Sequence, residues 1–224
     1  GNAIDPFKTI SDYGPDATRW YMISNSNPWD NLKFDINGVD EVKRKFFGTL
    51  YNTYSFFALY ANIDNFNFKE NEIKFEEKPE LDRWIISELN TLISKVEKFY
   101  EDYEPTKAAR EISNFVIDNL SNWYVRLSRR RFWKGEYELD KISAYQTLFT
   151  VLADICKISA PISPFFMDKM FQDLTRNIDG KFSESVHLES FPVSDTSKID
   201  KDLQEKINYA QIISSLTLSL RAKE

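Results

Sequence analysis

Between Ser121 and Lys134 the chain reads SNWYVRLSRRRFWK, which places five cations (Arg126, Arg129, Arg130, Arg131 and Lys134) and two tryptophans (Trp123 and Trp133) within fourteen residues. Guanidinium groups present forked donors that match phosphate oxygens, and an indole offers a face on which an unpaired base can stack. The chemistry such a run can do is the binding of a nucleic-acid backbone. The formal net charge of the whole chain is -6, and with these five charges set aside the remainder stands at -11. A local patch still supplies the field that a polyanion feels at short range. A structural reading competes with this one. Cations near a helix C-terminus are favoured by the macrodipole, the acidic helix ending EKFYEDYE could pair with them, and Phe132 and Trp133 could close one end of a helix bundle. A second run, Lys43 to Lys45, reads first as a solvated helix face and second as a weaker phosphate patch.

Other chemistries lack their parts. Cys156 stands alone in the apolar run VLADICKI and reads as a small buried hydrophobe, with no disulfide partner and no zinc set. His187 in SVHLESFP has no second histidine or cysteine beside it and reads as structural. There is no glycine-rich phosphate loop and no nucleophile elbow, and the carboxylates are scattered along helix faces where solvent surrounds them. The expected catalytic residues and metal ligands are therefore none. No run of about 18 apolar residues could span a membrane, and the expected location is the cytoplasm.

These residues must be positioned by helices. Six glycines in 224 residues leave few tight turns and favour long helices over many strands. From Asp5 to Asp35, prolines and Gly14 break the text into two brief helical pieces, PFKTISDY and DATRWYMIS. Five long patterns at steps of three and four follow. Val42, Phe46, Phe47, Leu50, Tyr54, Phe57 and Ala61 form one stripe, with Asp40 as its N-cap, and Leu81 to Tyr103 form the next. Thr106 opens a third helix, about 40 Å long if it runs to Lys134, with Ala109, Ile112, Val116, Leu120, Trp123 and Leu127 inward. Asp140 opens a fourth, Ile142 to Ile158, and a short helix runs from Pro164 to about Leu174. The last pattern, Ile199 to Leu220, is still running when the text stops, and both ends read as cut. The loops are Asp64 to Lys78 and Asn177 to Ser197, and SVHL in the second is the one place for a short strand. Short connections elsewhere predict an all-α, antiparallel helix bundle.

Several stretches together resemble one family. GNAIDP, YGPDATRWYM, LDRWIISELNTLI, SNWYVRLSRRRFW, SAPISPFFMDKMFQDL and SVHLESFP, in this order, are similar to the region of bacterial isoleucyl-tRNA synthetases, class I enzymes, that follows the catalytic domain and its lysine-rich signature loop. The resemblance extends over essentially the whole chain, and the arginine–tryptophan segment followed by SVHLESFP is its most specific part. It implies a stem-contact connector over residues 1–38 and a helical-bundle anticodon-binding domain over 39–224, truncated at its C-terminal end. It implies docking of the isoleucine tRNA, stem and anticodon arm, for ATP-dependent aminoacylation by a catalytic domain of the same parent chain. ATP and Mg would be bound outside this region, which would hold no cofactor and be inactive alone, as a monomer. Under that implication Arg126, Arg129 and Arg130 contact phosphates, Lys134 adds a less directional contact and Trp133 a stacking platform, whereas Arg131 and Trp123 pack the bundle. The alternative is a helical protein-interaction module with structural arginines, in which Phe7, Trp20, Tyr21 and Trp29 face another domain.

Overall fold

The computed structural model describes residues 4–134, 136–178 and 181–221. The first three residues of GNAIDP and the last three of the terminal LSLRAKE, on which part of the resemblance and of the cut-end reading falls, lie outside them. Among the described residues there are eight helices and no strand, as expected of an all-α bundle. Helix α1 covers Pro6–Tyr13 and α2 covers Pro15–Asn25, each with proline in its first turn, where the missing N–H costs nothing. Gly14 joins them at φ 87°, a conformation glycine adopts without strain. Helix α3 spans residues 36–63, being α-helical over Ile36–Val42 and Gly48–Ile63 and π-helical over Lys43–Phe47 between them. Its N-cap is Asp35, whose carboxylate accepts from the Asn37 N–H at 3.0 Å, and not Asp40, which pairs with Arg44 one turn on. Helix α4 covers Glu80–Glu101, α5 spans residues 105–133, α6 covers Leu139–Ser159, α7 Pro164–Thr175 and α8 Lys201–Arg221.

The bundle is organised around α6, which touches α3, α4, α5 and α7. A one-sided stripe is expected for it, yet burial runs around nearly its whole circumference, through Ala144, Leu148, Val151, Leu152 and Ile155 and also Ser143, Gln146 and Thr147. A helix enclosed by neighbours has no solvent face to keep polar. Its polar side chains reach out to fix loops instead. Gln146 accepts from the Ile73 N–H and donates to the Asn71 carbonyl, both at 3.0 Å, while Lys141 and the Tyr145 hydroxyl donate to Asp64 at 2.7 and 2.6 Å. The 64–78 loop is tied to the core by these four bonds.

Several expected positions turn out differently, each for a local reason. Tyr103 is exposed, at φ 57°, and ends α4 rather than continuing its stripe: the Glu104 N–H bonds the Phe99 carbonyl at 2.7 Å and the Tyr103 N–H that of Tyr100 at 3.2 Å. This closing motif normally takes glycine at the left-handed position. Tyr103→Gly is therefore expected to raise stability by up to about 1 kcal/mol, read as a higher denaturant midpoint with an unchanged slope. Thr106 does not cap α5, which starts at Pro105; its hydroxyl donates to the carbonyl of Ile23 at 2.8 Å. Glu138 holds the N-cap of α6, and Asp140, expected to open it, bonds Arg131 instead. SVHL forms a 3-10 turn, Val186–Leu188, because Ser185 caps it through the His187 N–H. In α8 Leu203 is buried against the bundle, whereas Ile213, Leu216 and Leu220 are exposed.

The N-terminal helices share the core. Trp20 is fully buried, stacks on Phe46 with ring centres 4.2 Å apart, and donates its indole N–H to Ser113 of α5 at 3.0 Å. Tyr21 is buried too, against Gly38, where a Cβ would lie 2.3 Å from its ring. Of the four aromatics expected to face another domain, Trp20 and Tyr21 thus turn inward, while Phe7 and Trp29 are exposed.

Candidate nucleic-acid interface

Helix α5 is α-helical over Pro105–Asn114, π-helical over Phe115–Val125 and α-helical again over Arg126–Trp133. A regular helix turns once in 3.6 residues, so steps of four drift off a face by about 40° each. From Ile112 onward the fully buried positions of α5 are Ile112, Val116, Leu120, Tyr124, Ser128 and Phe132, five successive steps of four. The middle segment makes this possible, because i→i+5 bonding puts more residues into each turn. The expected stripe through Trp123 and Leu127 is displaced accordingly. Trp123 is half-buried, and Leu127 is 54% exposed.

That displacement decides where the cations point. With Phe132 facing the core and 100° per residue, Arg129, Trp133, Arg126, Arg130 and Lys134 fall within one arc of about 140°, and Arg131 falls on the opposite flank. All five residues of the arc are exposed, Trp133 at 50%, with exposed Leu127 at its edge. Among the described residues, no carboxylate lies within ion-pair distance of Arg126, Arg129, Arg130 or Lys134. The sequence-predicted site residues are thus brought together on one face.

Arg131 has a different surrounding. It forms a fork with the fully buried Asp82 at the start of α4, at 2.6 and 2.8 Å, and reaches the carboxylate and the carbonyl of Asp140 at 2.9 and 2.8 Å. Asp82 also accepts from the hydroxyls of Tyr124 at 2.8 Å and Ser143 at 2.6 Å, so one carboxylate joins α4, α5 and α6. Burial alone would favour loss of the guanidinium proton, but the hydrogen bonds and charge of Asp82 outweigh it and hold Arg131 more firmly protonated than in water. Burial, and then the Asp82 charge, push the Tyr124 hydroxyl well above its ordinary value. The acidic ending EKFYEDYE takes no part. In an antiparallel pair the end of α4 lies beside the start of α5, and its acids pair with Lys98 at 3.0 Å and Lys107 at 3.1 Å.

Asp82 was the residue that reading the basic run alone overlooks, although its signal was present. Its spacing to Ile85 and Leu89 sets an acid on an apolar stripe, a position that demands a buried cation. The second basic run is engaged locally: Arg44 and Lys45 pair with Asp40 and Glu41 at 2.7 and 2.5 Å, and Lys43 donates to the Asp12 carbonyl at 3.0 Å. Cys156 is fully buried, with its thiol pushed up by burial, and His187 lies 3.2 Å from the Pro164 carbonyl. Among the described residues, no three His, Cys, Asp or Glu side chains are grouped to hold a metal ion, and no helix is long and apolar enough to cross a membrane.

Comparison with known proteins adds to this geometry. A family model described as the anticodon-binding domain of tRNA ligase matches residues 82–224. The isoleucine–tRNA ligase of Porphyromonas gingivalis is 61% identical over 223 residues, all of this chain and 19% of that protein. That of Bacteroides thetaiotaomicron is 59% identical over 222 residues, 99% of this chain and 19% of that protein. The chain spans about one fifth of the length of these relatives. Among solved structures, the crystal structure of the ternary complex of Agrobacterium radiobacter K84 agnB2 LeuRS, tRNA and LeuAMS shares the fold at a TM-score of 0.61 and 18% identity, over 89% of this chain and 22% of that one.

Proposed function

Since the chain belongs to the anticodon-binding domain family of tRNA ligases, we propose that it is the tRNA-docking region of an isoleucine–tRNA ligase and that it grips the stem and anticodon arm of the isoleucine tRNA through the arc on α5. The observation that carries this reading is the exposed set of Arg126, Arg129, Arg130 and Lys134, which hold no carboxylate partner among the described residues in a chain of net charge -6. Cations left unpaired on an acidic protein are held ready for an anion from outside. Arg126, Arg129 and Arg130 supply forked donors to successive phosphates, Lys134 adds a point charge, and Trp133 stacks on an unpaired base. Residues 1–38 serve as the stem-contact connector and 39–224 as the bundle. Activation of isoleucine with ATP and Mg²⁺ belongs to the catalytic domain of the longer parent chain, which acts as a cytoplasmic monomer and is the second partner of this region.

The test is fluorescence anisotropy of labelled isoleucine tRNA against the chain across a salt series. The expected result is binding whose log–log salt slope is about -0.7 to -0.9 for each phosphate contacted, several in all. Binding that ignores salt would instead support the protein-interaction reading, in which exposed apolar residues such as Phe7 and Trp29 make the contact.

A further inference from the structure

Arg131 is the cation of the basic run that turns away from the arc, and its contacts span a junction within α5. Its fork on Asp82, at 2.6 and 2.8 Å, comes from the α-helical segment Arg126–Trp133, whereas the Tyr124 hydroxyl, which donates to the same carboxylate at 2.8 Å, belongs to the π-helical segment before it. Departures of this kind from a regular helix recur at functional sites. If the same residues reverted to α geometry, the last two turns of α5 would face another direction, since each turn would then hold fewer residues. Donors on both sides of the junction, gripping one fully buried acceptor, permit only one of these settings.

Arg131 also reaches forward. It bonds the carboxylate and the carbonyl of Asp140, at 2.9 and 2.8 Å, and so ties the start of α6 to the last turn of α5, whose C-cap is the arc residue Lys134. Phe132 anchors the same turn from beneath, its ring edge-on to Phe56 of α3 at 5.1 Å and to Tyr145 of α6 at 5.0 Å. The segment that carries Arg126, Arg129, Arg130 and Trp133 is thus fixed on two sides by contacts that leave its outer side open. Adhesion alone does not call for such a clamp. Apolar side chains of similar volume hold helices together as well as a buried ion pair does, and often better. What a fork on a carboxylate adds is direction, because its two parallel bonds fix both distance and angle.

We infer that Asp82 and Arg131 are positioning residues for RNA docking, a role that rests on the tRNA-docking reading. Together with the Tyr124 hydroxyl they set the rotation of the last two turns of α5, so that the forks of Arg126, Arg129 and Arg130 meet phosphates in register, and they do so without touching the RNA themselves. Forked donors held out of register keep their charge but give up paired hydrogen bonds. Loss of the clamp is therefore read in affinity and not in the salt slope, which counts the phosphates neutralised.

The test compares the parent chain with Asp82→Asn and with the pair Asp82→Leu and Arg131→Met, each assayed by anisotropy with labelled isoleucine tRNA over the same salt series, at a temperature where urea titration shows it folded. The expected result is about 10-fold weaker binding for the double variant and a smaller loss for Asp82→Asn, both with the parent's slope, whereas Arg126→Ala makes the slope shallower. A second readout needs no RNA. With fluorotryptophan incorporated, the fluorine resonance of Trp133, assigned through Trp133→Phe, should move in both variants, while that of Trp20, buried against Phe46 and Ser113, stays in place. Parent-like affinity in the variants, with Arg126→Ala still impaired, overturns the positioning role and leaves the docking reading standing, and an unmoved Trp133 resonance does the same. A shallower slope in the double variant overturns it as well, because Arg131 would then be acting on phosphate directly. Should the double variant fail to fold, Asp82→Asn decides both readouts. Absence of salt-dependent binding by the parent chain overturns the docking reading and this inference with it.

Discussion

Asp82→Ala is expected to remove about 3–5 kcal/mol of stability, the cost of leaving a buried charge without its partner. Asp82 is fully buried and accepts four hydrogen bonds, from Arg131 twice, Tyr124 and Ser143, at 2.6 to 2.8 Å. Without it, the Arg131 side chain, 15% exposed, retains Asp140, which is itself 60% exposed and therefore a weak partner. For a chain of this length the loss corresponds to a fall of about 10 °C in melting temperature. Asp82→Asn, which keeps the volume and part of the hydrogen bonding, should lose less. Replacing both partners, Asp82→Leu with Arg131→Met, should recover much of the stability, since the penalty comes from the orphaned charge more than from the absent pair. A double-mutant cycle in urea measures the coupling directly. A coupling below about 0.5 kcal/mol would mean that Asp140 and solvent hold Arg131 unaided.

The second large effect concerns binding. Arg126→Ala combined with Arg130→Ala should weaken association with the isoleucine tRNA on the order of 10- to 100-fold near physiological salt and make the log–log salt slope shallower by about 1.4–1.8. Folding should be nearly untouched, because both side chains are exposed and unpaired with carboxylates among the described residues. Lysine at both positions should restore the slope but only part of the affinity, since an ammonium carries the charge without the planar fork. The same experiment on Arg131→Ala gives the contrasting pattern: a large loss of stability with little change in slope per folded molecule. An unchanged slope in the Arg126 and Arg130 double variant would remove the arc from the RNA interface.

Much of the fold was legible because apolar spacing and proline are local signals. The boundaries of α1, α2 and α7 follow from Pro6, Pro15 and Pro164, and the stripes of α3 and α4 agree with the buried positions up to their ends. What was not legible depended on neighbours. Nothing in Phe115–Val125 announces i→i+5 bonding, so a wheel drawn at 3.6 residues per turn assigns Leu127 to the core and misses Ser128; of the two aromatics that could close the bundle end, Phe132 is buried and Trp133 exposed. Nothing local shows that α6 is enclosed. The candidate arc could be named from charge and aromatic content, and the resemblance already sets Arg131 apart as a packing residue; that its partner is Asp82 follows only from α4 beginning, and not ending, beside it.

The π-helical stretch of α5 also bears on which changes of length the chain can inherit. A stretch that places surplus residues in each turn can give one up by returning to α-geometry, with the flanking turns keeping their facing. Phe115–Val125 is therefore where the gene can lose a codon and still carry its arginines outside. Pro105–Asn114 and Arg126–Trp133 are already α-helical and have no such reserve. A codon lost from the first of these rotates everything beyond it by about 100°, enough to swing cations into the core and Phe132 into water. Among descendants of this sequence, length variation within α5 should survive in the middle of the helix and be purged from its ends.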